Sequence, residues 1–372
     1  MKKMALGSMA SILIDGMIYF SDSAFNGFYC YDIKKMLTKH ICDFEKVSPA
    51  AQILHRQAIR YGDYIVLIPY HDKFLRIFDI ESGCMSSFPL IGAADIQYVY
   101  CGTIHDNLVW LVDDRLTATC FDLVNHRFST LPNLTKVLTD LLAKESKIVD
   151  LYWESDKLFC LTDSFEVFYE IFEEAGDFKA IMNCLAIGIG YGVLSKVRIL
   201  NQKYWLLFKN HYDIIEWDGG KNYQVYKYEL ADASIDKSVC NYPYDNLYKV
   251  GEEILITAYY GKNIFYVRDA KVREVELSKY DGNYKVLKCL LYSPCFGQVH
   301  QIDGGKYLIF PNRNNRLIEL NTTKQELHTK KIWYEVTSMC KFISEVDKTE
   351  IVFHENENTG LGDLIDYLVK SP

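Results

Sequence analysis

The chain has 372 residues, 49% of them hydrophobic and 24% charged, with 41 Lys and Arg against 49 Asp and Glu. That apolar content excludes a disordered chain, and a net charge of −8 excludes a general nucleic-acid binder, which needs excess cations to displace counterions from phosphates. The length exceeds the roughly 250–300 residues at which single cores stop growing, which leaves two ordinary domains or one modular architecture.

The chain opens on Met1-Lys2-Lys3, a charged head of the kind that precedes a secretory signal, but the apolar stretch after it is broken by Asp15 and Gly16. No run approaches the roughly 18–20 apolar residues that span a bilayer. The 11 cysteines are odd in number and form no Cys-x-x-Cys pair; Cys30, Cys101, Cys120, Cys160 and Cys289 sit in apolar runs. This usage predicts buried reduced thiols and a cytoplasmic protein, with no membrane contact, zinc ribbon or redox motif.

One unit then recurs along the chain. It consists of an apolar run, a tight polar turn, a second run, a polar loop, a third run closing on an acid or amide, and a fourth run. The closing residues of the third runs are Asp32, Asp79, Asp122, Glu170, Asp218, Asp269 and Asn321, and successive ones lie 47, 43, 48, 48, 51 and 52 residues apart. The runs are of strand length and rich in β-branched and aromatic residues, as in Tyr64-Ile65-Val66-Leu67-Ile68-Pro69. Turn chemistry joins the first two runs, for example at Asp15-Gly16, Asp106-Asn107 and Asn201-Gln202.

Four short strands at this period predict an all-β fold, a β-propeller whose four-stranded antiparallel blades hide their faces against one another. Seven copies favour seven blades. A further hairpin over 339–353 lacks the third run and leaves eight as the alternative. The propeller is expected over residues 8–354 as one domain, with 355–372 as a tail.

The stretch Phe78-Asp79-Ile80-Glu81-Ser82-Gly83 resembles blades of the kelch-like and quinoprotein-like propellers, where a third strand ends in an aliphatic–Asp pair before a Gly-containing turn. The resemblance spans nearly the whole chain and implies the fold alone. The Trp-Asp pair of WD blades occurs once, at Trp217-Asp218, and the kelch Gly-Gly pattern does not recur, so no family's site residues carry over.

Two segments break the repeat. Leu134, Leu138, Leu141 and Leu142 follow Pro132-Asn133 at helical spacing and predict an amphipathic helix over 134–145 capped by Asn133. Its leucines either pack on the propeller rim or serve a partner. Leu361, Leu364, Ile365, Leu368 and Val369 predict a second amphipathic helix in the tail, started by Thr359 and docked on the propeller or in a partner's groove.

With the strands of a blade lettered A to D from the axis outward, the A–B and C–D turns share one face and the B–C loops and D–A connections the other. Long D–A connections, such as 91–98 and 132–147, concentrate insertions on the B–C/D–A face. Loops there carry His71, Asp72, Arg115, His211, Tyr259, Tyr260, Asn312 and Arg313, side chains suited to anchoring a protein or peptide partner. The same Asn and Asp types also serve as plain turn formers. His55, His105 and His300 lie in or beside innermost strands, too loosely spaced to read as a metal set. Gly188-Ile189-Gly190-Tyr191-Gly192 lacks phosphate-loop spacing, and no Gly-x-Ser-x-Gly or His-Glu-x-x-His occurs. The sequence therefore reads as a non-catalytic binding or scaffolding propeller without cofactor. The alternative is a propeller enzyme, a lyase or hydrolase on a sugar or peptide, with its site near the central channel.

Overall fold

Among the described residues the apolar runs form seven antiparallel meanders of four strands, each in sequence order. The computed structural model describes residues 8–22, 27–45, 53–144, 148–154, 157–162, 167–172, 177–183, 194–209, 211–228, 244–259, 263–268, 270–277, 296–312 and 316–334. Sheet one holds β1 (Ser11–Ile14), β2 (Met17–Asp22), β3 (Gly27–Asp32) and β4 (Leu37–Asp43); sheet two holds β5 (His55–Tyr61), β6 (Tyr64–Pro69), β7 (Phe74–Asp79) and β8 (Cys84–Pro89). Sheet three holds β9 (Val99–His105), β10 (Leu108–Asp113), β11 (Ala118–Asp122) and β12 (Arg127–Thr130), and the helix α1 (Pro132–Lys144) follows it. Sheet four holds β13 (Ile148–Glu154), β14 (Lys157–Thr162), β15 (Val167–Phe172) and β16 (Asp177–Asn183). Sheet five holds β17 (Leu194–Leu200), β18 (Lys203–Phe208), β19 (Ile214–Trp217) and β20 (Tyr223–Tyr228). Sheet six holds β21 (Tyr244–Val250), β22 (Glu253–Ala258), β23 (Asn263–Arg268) and β24 (Lys271–Glu276). Sheet seven holds β25 (Phe296–Asp303), β26 (Lys306–Pro311), β27 (Arg316–Asn321) and β28 (Glu326–Lys331), and β29 (Trp333–Tyr334) follows. The expected extra hairpin over 339–353 and the helix of the tail lie outside the described residues.

The chain forms two compact units, one drawn from residues 1–88 and 277–372, the other from 89–276. In the first, β1 lies beside both β5 and β25, so sheets from opposite ends of the sequence are neighbours. Gly297 of β25 makes this approach possible: a Cβ there would stand 2.5 Å from the Ser8 carbonyl oxygen. In the second unit β9, β13, β17 and β21 follow one another side by side. Second strands are buried on both faces, as Ile65, Val66, Leu67 and Ile68 show with at most 1% exposure in four consecutive residues. Fourth strands such as β8 and β12 face solvent.

The periodic acid has a definite task. At the end of the third strand its carboxylate turns back and accepts backbone N–H groups two and three or four residues on, which closes the C–D turn. Asp32 Oδ1 accepts Lys34 N and Lys35 N, both at 3.0 Å; Asp79 Oδ1 accepts Glu81 N at 2.9 Å and Ser82 N at 3.2 Å. Asp122 accepts Val124 N at 2.8 Å and Asn125 N at 3.1 Å, and Asp218 accepts Gly220 N at 2.7 Å and Asn222 N at 3.3 Å. Asn321 does the same with its amide oxygen for Lys324 N at 3.0 Å. In sheets four and six the register differs from the sequence reading. Ile171 pairs with Leu158 and Val267 with Ile254, which puts Phe172 and Arg268 where the capping residue stands elsewhere, and Glu170 falls inside β15.

These hydrogen bonds hold the capping carboxyls below their usual range. The leading cause is the N–H of Lys35 for Asp32, of Ser82 for Asp79 and of Gly220 for Asp218, and the side chain of Asn125 for Asp122. Their stabilisation is therefore complete above the ordinary carboxylate pKa of about 4 and is lost as pH falls through the lowered folded values. Asp79→Ala is expected to lower the thermal midpoint at pH 7, while Asp79→Asn keeps most of it because Asn321 already caps a turn; equal midpoints for the two variants would contradict the capping role.

The helix expected over 134–145 is present as α1, one turn-edge earlier. Pro132 opens it, and the Leu131 carbonyl receives Thr135 N at 2.9 Å, so Asn133 lies in the first turn and is not the cap. Proline suits that first position because its fixed φ is helical and its missing N–H would have no helical acceptor. Leu134, Val137, Leu138 and Leu141 are at most 1% exposed and pack on Trp110, Ala118, Leu151 and Cys160, so the leucine stripe is spent within the protein. Leu138→Ala should cost about 2–5 kcal/mol in chemical denaturation; a cost below about 1 kcal/mol would show that the helix is not part of this core.

Two parallel pairings close sheet edges. Trp333 and Tyr334 of β29 lie opposite Leu37 and Thr38 of β4. Lys227 and Tyr228 of β20 lie opposite Lys271 and Val272 of β24, which joins sheets five and six into one eight-stranded sheet.

Candidate functional site

The B–C loops of sheets two and three rest on the segments that lead into their own sheets. Tyr70 N and Asp72 N donate to the Leu54 carbonyl at 2.6 and 3.2 Å, and Asp114 N donates to Tyr98 O at 3.0 Å. The loops and the D–A connections of these sheets thus form one end, as the strand order requires.

Beneath the loop of sheet two lies a polar network that is almost sealed from solvent. Ser21, His55, Asp72 and Arg76 are exposed by only 3%, 2%, 2% and 1%. The Asp72 carboxylate accepts Arg76 Nε at 2.8 Å and Nη2 at 3.3 Å, and also Phe74 N at 3.0 Å. Arg76 donates onward to Ser87 Oγ at 2.8 Å and to the Glu45 carbonyl at 2.9 Å, with its guanidinium over the rings of Phe74 and Phe44. His55 Nδ1 is 2.7 Å from Ser21 Oγ, and its Nε2 is 3.1 Å from Asp72 Oδ2 but off the line of a hydrogen bond. Burial pulls the His55 pKa down more than Asp72 raises it, so the ring is neutral at neutral pH. Burial alone would raise the Asp72 pKa, but His55 and the Arg76 guanidinium outweigh it and hold the carboxyl below its usual range.

A serine, histidine and aspartate in line have the composition of a nucleophilic triad. Here no substrate carbonyl can reach Ser21 Oγ, and the array instead ties β2 of one sheet to the B–C loop of the next. Removing one member of such a pair leaves an uncompensated buried charge. Asp72→Ala is expected to cost about 3–5 kcal/mol in urea unfolding; a loss under about 1 kcal/mol would mean that water already serves the Arg76 guanidinium.

The loop residues expected to meet a partner fall into three groups. Asp72 and Asn312 are interior, at 2% and 0% exposure, and do not present a surface; Asp72 shapes its loop from below through Phe74 N. His71, His211 and Tyr259 are half-buried and Arg115 is exposed at the loop end of their sheets. Tyr260 and Arg313 lie outside the described residues. Arg115 is fixed by Asp113, whose carboxylate accepts its backbone N at 2.9 Å and Nε at 3.0 Å, and it leans on Gly92, where a Cβ would come within 3.1 Å of the guanidinium. His211 Nδ1 accepts Asp213 N at 3.1 Å, and burial lowers its pKa despite the Asp213 charge.

The sequence reading missed Arg56. It is the extra residue of a bulge between His55 and Gln57, and its guanidinium lies 5.1 Å over the Tyr70 ring. The Tyr70 and His71 rings are 4.3 Å apart. A sequence signal existed for the buried network: Arg76 stands among Phe74, Leu75, Ile77 and Phe78, and a charge inside an apolar strand requires a partner. None existed for Arg56, because a bulge leaves no mark in the hydrophobic alternation.

The innermost-strand histidines separate in the same way. His300 is buried against Ser11, with Nε2 2.9 Å from Oγ, and burial holds its pKa down to about 4. His105 ends β9 with its Nε2 3.8 Å from Asp106. Among the described residues no group of three or more His, Cys, Asp or Glu is arranged to hold a metal. A buried neutral histidine favours the unfolded state as soon as that state binds its proton. Stability should thus be full above the unfolded histidine pKa of about 6.5 and fall by about 3 kcal/mol on descending to pH 4. The His300→Gln variant should show a flatter profile in this window; an unchanged slope would exclude His300 as its source.

No protein-family model matches the chain, and no curated protein matches it in sequence. Solved structures do match. Streptogramin B lyase is 13% identical with a TM-score of 0.57, over 88% of this chain and 94% of that one. YCF48 bound to D1 peptide is 8% identical with a TM-score of 0.55, over 86% and 95%. A chain of the mitotic checkpoint complex is 11% identical with a TM-score of 0.50, over 90% of each. These are β-propeller proteins, and the present chain is similar to them in fold. At such identities the likeness extends to the fold alone.

Proposed function

We propose that the protein is a seven-bladed, non-catalytic recognition propeller that binds a protein or peptide partner through the B–C/D–A end of its blades. The observation that carries this reading is the Arg56–Tyr70–His71 cluster. A guanidinium stacked on a tyrosine, with a histidine ring against that tyrosine, is the composition of an interface anchor. Arg56 has no carboxylate partner among the described residues, so an acidic side chain of the partner completes it. Arg115, His211 and Tyr259 are the further contacts, while Asp72 holds its loop in place from within and Asn312 is buried. Seven four-stranded meanders among the described residues support the blade number. The sealing of Ser21, His55 and Asp72 favours recognition over the lyase or hydrolase alternative, and the YCF48 structure, which carries a peptide, gives a precedent for peptide binding by this fold. A cytoplasmic setting fits Cys30, Cys101, Cys120 and Cys160, which are buried and not in disulfides.

Selection of a displayed peptide library on the full chain, followed by calorimetry, tests the reading. Selected peptides should carry acidic residues, and Arg56→Ala or His71→Ala should weaken them about tenfold or more with the thermal midpoint unchanged. Binders indifferent to both substitutions would overturn it.

A further inference from the structure

The first strands of sheets four, five and six, β13, β17 and β21, run side by side in one unit. Each carries an irregularity after its first residue, so their registers coincide. Asp150, Lys196 and Asn246 stand opposite Leu161, Leu207 and Thr257, and Tyr152, Arg198 and Tyr248 stand opposite Phe159, Trp205 and Leu255. Between these two rows come Leu151, Val197 and Leu247, exposed by 7%, 0% and 3%. Strand alternation therefore packs the apolar row between sheets and turns both polar rows to the opposite side, where all six side chains are half-buried.

The charges in these rows are not equally matched. The Lys196 ammonium is 2.8 Å from Asp150 Oδ2. The Arg198 guanidinium lies 5.0 Å over the Tyr152 ring and donates one hydrogen bond, from Nη1 to the Val197 carbonyl at 3.1 Å. No carboxylate among the described residues comes within ion-pairing reach of it. The Tyr248 hydroxyl accepts Asn246 Nδ2 at 3.2 Å, and its own proton has no acceptor among the described residues. Burial and the Asp245 charge push the Tyr248 pKa up, so that proton is retained at neutral pH.

A guanidinium held over a ring, with its remaining N–H groups unspent among the described residues and a hydroxyl donor in the same row, matches a planar oxyanion. We propose that Tyr152, Arg198 and Tyr248 form a binding site for a carboxylate group, which Arg198 and Tyr248 grip by donation. Charge selects a carboxylate over phosphate. Lys196 and Arg198 balance Asp150 and Asp245, so a carboxylate adds a single negative charge to a neutral cluster, whereas a phosphate dianion adds two beside two existing acids. The site stands on strand positions of the inner row and does not depend on the loop face binding a peptide.

Titration of the full chain, labelled at its arginine side chains, with benzoate, N-acetylglycine, N-acetylglycinamide and inorganic phosphate tests the site by NMR. Saturable shifts of the Arg198 Nε–H signal are expected with benzoate, a free carboxylate, or with N-acetylglycine, a peptide terminus, and whichever binds tighter identifies the source. Neutral N-acetylglycinamide should produce none. Arg198→Gln should weaken binding at least tenfold, and Tyr248→Phe, which keeps the ring and removes only the hydroxyl, should weaken it three- to tenfold with the fold intact. The proposal is overturned if neither carboxylate saturates, if phosphate binds more tightly than both, or if Tyr248→Phe binds as the wild type does.

Discussion

Every sheet in this protein is apolar on both faces of its second strand, and that single constraint orders the rest. A strand such as β6, with four successive residues out of water, cannot exist in a sheet that has solvent on either side. A meander of this kind needs cover on both faces, which neighbouring meanders supply where β1 lies beside β5 and β25, and which α1 shares in around Trp110 and Leu151. Polar chemistry is left with two places, the loops at the strand ends and the inner row where first strands stand side by side. The Arg56 and Arg198 clusters occupy one of each.

The repeat was legible because the same mechanical task recurs at the same strand position. The acid after each third strand closes a turn, and a turn that tight needs an acceptor two or three residues before the N–H groups it satisfies. Where another residue takes the position, as Phe172 and Arg268 do, the period still finds the strand but misplaces the cap by one or two residues. Helix α1 was legible for a related reason: leucines at helical spacing reveal a buried stripe whatever it packs on. Its start was misread because asparagine and proline both signal helix openings, and the rigid ring of Pro132 fixes the first helical position.

The candidate site was legible only as a neighbourhood. Loop polarity pointed to one end of the sheets, yet it did not separate the buried Asp72 and Asn312 from His71 and Arg115, which are not buried. Both kinds of residue satisfy turn chemistry, and depth is decided by partners distant in sequence: Arg76, His55 and Ser21 for Asp72. The inner row was hidden for a different reason. Its residues align only once the irregularity after the first residue of β13, β17 and β21 is known, and a one-residue slip moves every side chain to the other face.

The parallel contact of β29 with β4, together with the packing of β25 beside β1, has a consequence for biogenesis. Sheet one precedes the other six in the sequence but receives its fifth strand and one of its flanking sheets from segments that follow sheet six. Until then its outer edge offers unpaired backbone groups to any passing extended segment. Sheet one is consequently complete only once residues 296–334 are in place, so its edge is the last part of the sheet to be protected.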